Sequence, residues 1–160
     1  MGFRVGHGFD AHRLGQGRPL MLGGVQVPHP QGLLGHSDGD CILHALCDAL
    51  LGAAALGDMG RYFPSSDPRW KAVPSLVFLE EVRRLVTEAR YAVENVDVTV
   101  VAEAPRLGPH CEAMRQTLAG ALGLGAGQVS VKAKSSDGLG AVGRDEGIAA
   151  FAVVLLTNAS

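Results

Sequence analysis

Apolar residues alternate with polar or small ones over Phe3–Phe9, a period of two that predicts a strand running into Gly-rich polar sequence. Leu20–Val27 is a shorter strand-like segment, interrupted by Gly23-Gly24 and stopped by Pro28–Pro30. The period then changes. Ile42, Leu43, Leu46, Leu50 and Leu51 recur at helical spacing, which predicts a helix over about Asp38–Ala55 with Ser37 or Asp38 as its cap. Gly57–Trp70 reads as a loop by its Gly, Pro, Ser and Asp content. An amphipathic helix follows over Leu76–Tyr91, with Glu80, Glu81, Arg83, Arg84 and Glu88 on its outer face. Val96–Ala102 is a strand carrying Val96, Val98 and Val100 on one face, and Pro105–Pro109 is a turn-rich connection to a third helix, Cys111–Leu122. Val129–Lys134 and Ile148–Leu156 complete the set as strands, the last apolar enough to be buried on both faces.

Strands interleaved with three helices predict an α+β fold, a small mixed sheet with helices on one face. The opposite face then needs cover, and a symmetric oligomer supplies it. No repeat, linker or low-complexity tract divides the 160 residues, so residues 1–160 are expected to form one domain. Hydrophobic residues at 47% against 19% charged exclude a disordered chain. A net charge of −2 provides no basic field for nucleic acid or an anionic membrane, and 5% aromatics leave few platforms for base stacking. No segment approaches eighteen uninterrupted apolar residues and none near Met1 has signal length, so a soluble, cytoplasmic protein is expected. Three cysteines, Cys41, Cys47 and Cys111, suit a reducing compartment.

Two clusters carry candidate chemistry. Asp10 and His12 stand two apart near a strand end, able to point the same way, and His44 lies on the first helix. Two imidazoles and a carboxylate suit zinc, and three protein ligands leave a fourth position open, as in catalytic sites. Asp40 competes with Asp10 as the carboxylate, being four residues from His44, and Asp48 could orient His44 through its second ring nitrogen. The plainer alternative is that His12 caps a backbone group and His44 is a hydrogen-bonded core histidine.

The second cluster is anionic-ligand chemistry. His36 and Ser37 precede a helix N-terminus, where free N–H groups favour an anion. Lys132, Lys134, Ser135, Ser136, Gly138, Gly140 and Arg144 form a run of donors, cations and flexible backbone around Asp137, a carboxylate suited to Mg²⁺. Asp58, Gly60 and the stretch Phe63–Asp67 could line a polyol cleft; a solvated loop or turn is the ordinary alternative for both segments.

VGHGFDAHRL, GLLGHSDGDCILHALCDALLGAAALGDMGRYFP, NVDVTVVAEAPRLGPH and VKAKSSDGLGAVGRDEGIA together resemble the 2-C-methyl-D-erythritol 2,4-cyclodiphosphate synthases, in order and over nearly the whole chain. The resemblance implies a ferredoxin-like domain assembled as a homotrimer with active sites between subunits. It implies zinc on Asp10, His12 and His44, and Mg²⁺ or Mn²⁺ held at Asp137 between two substrate phosphates. The implied reaction is intramolecular: the 2-phosphate of 4-diphosphocytidyl-2-C-methyl-D-erythritol 2-phosphate attacks the β-phosphorus, CMP leaves, and the cyclic diphosphate of the non-mevalonate isoprenoid pathway remains.

By the same resemblance His36 and Ser135 stabilise the transition state, flanked by Ser37, Lys134 and Ser136. Asp58, Met59 and Gly60 with Phe63, Pro64, Ser65, Ser66 and Asp67 form the methylerythritol pocket. Ala102, Glu103, Ala104, Pro105, Arg106, Leu107 and Gly108 form the cytidine pocket, and Ala141 and Arg144 complete the contacts. Arg144 and Glu146 match residues at the mouth of an axial channel that could take an isoprenoid diphosphate. The chain departs from the family's usual pattern where Asp137 replaces a Glu, Lys134 a frequent Thr and Ala141 a bulkier residue. Two other functions fit the bare motifs: a metal-dependent phosphohydrolase with Asp58 or Asp48 as base, and a non-catalytic trimeric binding module.

Overall fold

The longest strand of the computed structural model, β1 (Phe3–Gly15), carries two of the candidate metal ligands and sets the position of the third. Residues 2–159 are described. After β1 the chain forms a hairpin, β2 (Leu20–Leu22) and β3 (Val25–Val27), and a two-residue strand β4 (Gly32–Leu33). Helix α1 (Cys41–Ala53) and the single turn α2 (Met59–Tyr62) lead through a 3₁₀ turn at Pro68–Trp70 to α3 (Ser75–Glu88). Then come β5 (Tyr91–Val101), α4 (Cys111–Leu122), β6 (Val129–Lys134), the short α5 (Gly140–Gly143) and β7 (Gly147–Asn158).

The main sheet runs β4-β1-β7-β5-β6, with β5 and β6 parallel and the other neighbours antiparallel. Helices α1, α3 and α4 pack on one face, around a core of Leu43, Leu46, Leu50, Val98, Val100, Ile148 and Ala152. This is the expected mixed α+β layer. The other face is different. Phe3, Val5 and Phe9 of β1 and Phe151 and Val153 of β7 lie in register there and are 40–69% exposed in the single chain. Strand β7 is therefore buried on one face of this chain, not two as its composition suggested.

Glycine sets the closeness of helix and sheet. A Cβ on Gly8 would fall 1.8 Å from the carbonyl oxygen of Ala45, and one on Gly6 1.9 Å from that of Ala49. Bare backbone on β1 thus meets an Ala45-Ala49-Ala53 stripe on α1, with no side chain between them. Asp10 and His12 continue the same face of β1 beyond Gly8, so they point towards α1 where His44 precedes Ala45.

Several boundaries depart from the sequence reading. Strand β1 extends six residues past Phe9, because β7 pairs with it as far as Arg13 and β4 takes over at Leu14 and Gly15. Strand β5 starts at Tyr91, where a helix was expected to end. Strand β4, α2 and α5 are too short to have a periodic signal. The cap of α1 is neither Ser37 nor Asp38 but Asp40, whose carboxylate accepts from Leu43 N–H and reaches back to Gly23 and Gly24 N–H in the β2–β3 hairpin. Asp40 is fully buried with these three donors and so is no metal ligand. An amide cannot present two acceptor oxygens, so Asp40→Asn should cost about 2 kcal/mol, read as a lower urea midpoint at unchanged slope.

Candidate metal centre and the adjoining cleft

Three side chains from β1 and α1 turn inward on one point. Asp10 Oδ2 lies 2.7 Å from His12 Nε2 and 3.0 Å from His44 Nδ1, and the two ring nitrogens are 3.1 Å apart. Ligand bonds of about 2.0–2.2 Å in tetrahedral geometry need donor separations of about 3.3 Å, so small outward shifts suffice to admit a cation. Among the described residues this is the one cluster of three His, Cys, Asp or Glu donors able to hold a metal ion. The contest between Asp10 and Asp40 is settled by geometry for Asp10.

Each imidazole is also held from behind. His12 donates Nδ1–H to Leu34 carbonyl at 2.7 Å, which leaves Nε2 free as a donor atom. His44 Nε2 meets the hydroxyls of Ser37 at 3.0 Å and Ser75 at 2.9 Å. The predicted support from Asp48 is not what holds the ring; that carboxylate accepts from Met59 N–H at 2.8 Å and secures the turn after Asp58. Ser75 and Asp38 were missed as parts of the site. They lie 37 residues apart in sequence, and nothing in local spacing joins them.

Burial pushes the Asp10 carboxyl up, but hydrogen bonds and charge from His12 and His44 outweigh it and hold it at about 2. His12 is raised above the usual imidazole value, chiefly by its hydrogen bond to Asp10 and against the pull of burial. A cation must displace the His12 proton. Cation affinity should therefore fall tenfold per pH unit below the raised His12 value and level off above it, as chelator competition across pH would record.

The predicted phosphate and pocket residues fall into groups. His36 is exposed; its Nε2 stands 3.4 Å from the Asp67 carbonyl, and its own carbonyl accepts from Ala72 N–H. Ser37, by contrast, is buried with its hydroxyl on His44. Asp58 caps α2 through Arg61 N–H, leaving Gly60 on an exposed turn. Phe63 is turned into the core against Trp70 and Phe78, with Pro64, Ser65 and Ser66 on the segment leading to Asp67, which caps the next turn and pairs with Arg69.

A separate cleft of about 320 Å³ opens where β5 and β6 end side by side. Ala102, Glu103, Pro105, Arg106, Leu107 and Gly108 line it with Lys134 and Ser135, so every predicted cytidine-pocket residue but Ala104 is there. Ser136 and Asp137 follow in a tight turn: Asp137 has a φ of +55° and donates its N–H towards Ser135 Oγ, and Ser136 Oγ donates to Leu139 carbonyl. Ala141 and Glu146 line a smaller hollow of about 210 Å³ beside His12, and Arg144 pairs with Glu146 at 3.1 Å.

Comparison with known proteins places these features in context. The family model described as the YgbB family matches residues 3–157. The 2-C-methyl-D-erythritol 2,4-cyclodiphosphate synthase of Syntrophomonas wolfei is 58% identical over 156 residues, covering 98% of this chain and 99% of its own. A solved 2C-methyl-D-erythritol-2,4-cyclodiphosphate synthase in a CDP-bound form superposes with a TM-score of 0.89 at 43% identity, over 96% of this chain and all of that one. The bifunctional IspDF of Campylobacter jejuni superposes at 0.95 with 39% identity over 98% of this chain, which spans 42% of that longer protein.

Proposed function

Because the chain belongs to the YgbB family and is a cyclising enzyme of the 2-C-methyl-D-erythritol 2,4-cyclodiphosphate synthase kind, we propose that it acts as one cytoplasmic domain of residues 1–160, converting 4-diphosphocytidyl-2-C-methyl-D-erythritol 2-phosphate to the cyclodiphosphate and CMP. The observation that carries this reading is the convergence of Asp10, His12 and His44, each half-buried, on one point. Those three would hold Zn²⁺, and Asp137 with the substrate phosphates would hold Mg²⁺ or Mn²⁺; when bound, the two cations supply Lewis-acid polarisation and neutralise phosphate charge.

The protein's own groups do the rest by position. The cleft from Ala102 to Gly108 takes the cytidine, with backbone groups facing the base and Arg106 at its wall. His36 and Ser135 donate to phosphate oxygens on which charge develops, and Lys134 adds a cation beside them. Asp58, Gly60 and the Phe63–Asp67 segment hold the methylerythritol hydroxyls. The substrate's 2-phosphate is itself the nucleophile. Holding it in line with the β-phosphorus lowers the barrier by as much as ~7–11 kcal/mol, so the chain needs no covalent intermediate.

The paired strands support a shared active site. Asp10, Ala150, Val100 and Ala133 form one row across the sheet, which sets the metal ligands three strand spacings, roughly 14 Å, from the end of β6. A neighbouring copy that brings its own cleft to this metal centre closes that gap, and the apolar outer face gives such a copy a surface to bury. We assign the assembly as a homotrimer. Phe9 and Phe151 pair across β1 and β7 with ring centroids 5.1 Å apart. Phe151→Asp should shift micromolar protein from trimer to monomer in native mass spectra. The same spectra of the parent protein would reveal a geranyl or farnesyl diphosphate retained at the axial Arg144–Glu146 pair.

The reaction is tested by following CMP release in ¹⁸O-water with magnesium titrated in. CMP with an unlabelled cyclic product supports cyclisation. Label in the non-nucleotide product supports hydrolysis by a metal-bound water, and binding without CMP supports a non-catalytic module.

A further inference from the structure

The support behind His44 has a direction. Ser75 Oγ donates a hydrogen bond to Asp38 Oδ1, and a carboxylate can only accept, so the single Ser75 proton is committed to Asp38. Asp38 also accepts from the backbone N–H of Ser75 at 3.0 Å and of Asp40 at 3.1 Å. Ser75 is fully buried, so its oxygen has no water to turn to. It faces His44 Nε2 at 2.9 Å and must accept there. A proton is therefore held on Nε2, and Nδ1 is the nitrogen that faces Asp10 and His12, where a bound cation would take the place of the hydrogen bond to Asp10.

The sequence expectation for Asp38 was a cap on α1. It instead caps α3 across the fold, because Pro74 at the start of that helix has no side chain able to do so. One carboxylate thereby ties the α3 N-terminus to the loop before α1 and aligns a hydroxyl on the ring. Ser37 also touches Nε2, at 3.0 Å, but its proton has no committed acceptor, so it fits either ring tautomer.

We propose that Asp38 and Ser75 are positioning residues that lock His44 in its Nε2–H form and so present Nδ1 as a ready ligand for the divalent cation. This rests on the metal reading given above. In neutral imidazole the wrong tautomer must exchange its proton before it can ligate, and loss of such an outer partner weakens metal binding by about 10–100-fold.

The test uses the full chain loaded with Zn²⁺ and ¹⁵N-labelled at histidine. His44 should show a slowly exchanging Nε2–H with Nδ1 metal-bound. Ser75→Ala should speed that exchange and weaken zinc about 10–100-fold by chelator competition, while Ser37→Ala does less. The His12 Nδ1–H held by Leu34 carbonyl is the internal control and should not change in either variant. Zinc on His44 Nε2 in the parent protein overturns the proposal whether or not Ser75→Ala folds. So does a Ser75→Ala variant with unchanged affinity and exchange. A parent protein that takes up no zinc overturns the metal reading itself, a distinct result.

Discussion

His44→Ala should abolish metal retention and turnover together. The two remaining donors, Asp10 Oδ2 and His12 Nε2, lie 2.7 Å apart and would close on each other as an ion pair once the third ligand is gone. His44 is also the only one of the three carried by α1, so no neighbouring side chain on β1 can replace it. Loss of Lewis-acid polarisation at a phosphoryl oxygen is worth about 4 kcal/mol, roughly a thousandfold in rate. Metal content by mass spectrometry and CMP release on the same preparation would check it. Full turnover in a zinc-free sample would remove zinc from the chemistry, and a variant that keeps both would relocate the metal.

Gly8→Ala carries the second large effect, on fold and site at once. The added methyl would sit 1.8 Å from a backbone carbonyl of α1, and backbone cannot yield by a rotamer change. Either α1 lifts from β1 or the strand buckles, and we expect a loss of about 3 kcal/mol or more. Because Ala45 follows His44 directly, the same displacement carries the imidazole away from Asp10. The variant should therefore lose metal affinity even at temperatures where it remains folded. Thermal melts with and without Zn²⁺ would separate the effects: the cation should raise the midpoint of the parent protein and raise that of Gly8→Ala much less.

These two positions also mark how far the chain could be understood before folding. His44 and the pair Asp10 and His12 are legible because their residue types are rare in an apolar setting and their period places both β1 ligands on one side. The segment from Ala102 to Gly108 was singled out through resemblance, and all of it but Ala104 lines one cleft. Gly8 was visible only as abundant glycine, since what it avoids is a carbonyl 37 residues away. Asp40 is an ordinary local cap whose further bonds to Gly23 and Gly24 are distant, and Asp38, drawn off to Ser75, defeated local rules for the same reason as Gly8. Capping preferences rank residue types near a helix start, and cannot register that the donors competing for a carboxylate sit on a hairpin or at another helix. The outward row of Phe9, Phe151 and Val153 was foreseen as a face needing cover, whereas composition alone made β7 look buried on both sides.

The Asp10, His12 and His44 cluster stands on a long strand paired to the central β7 and on a buried helix, both tied into an apolar core that, among the described residues, holds no further cluster of metal donors. Unlike small zinc-stapled domains, which collapse when stripped, such a molecule should reach its native shape first and acquire its ion afterwards. Chelated protein should then regain function on simple resupply, with no refolding delay, so scarcity of the divalent cation would idle the enzyme rather than destroy it.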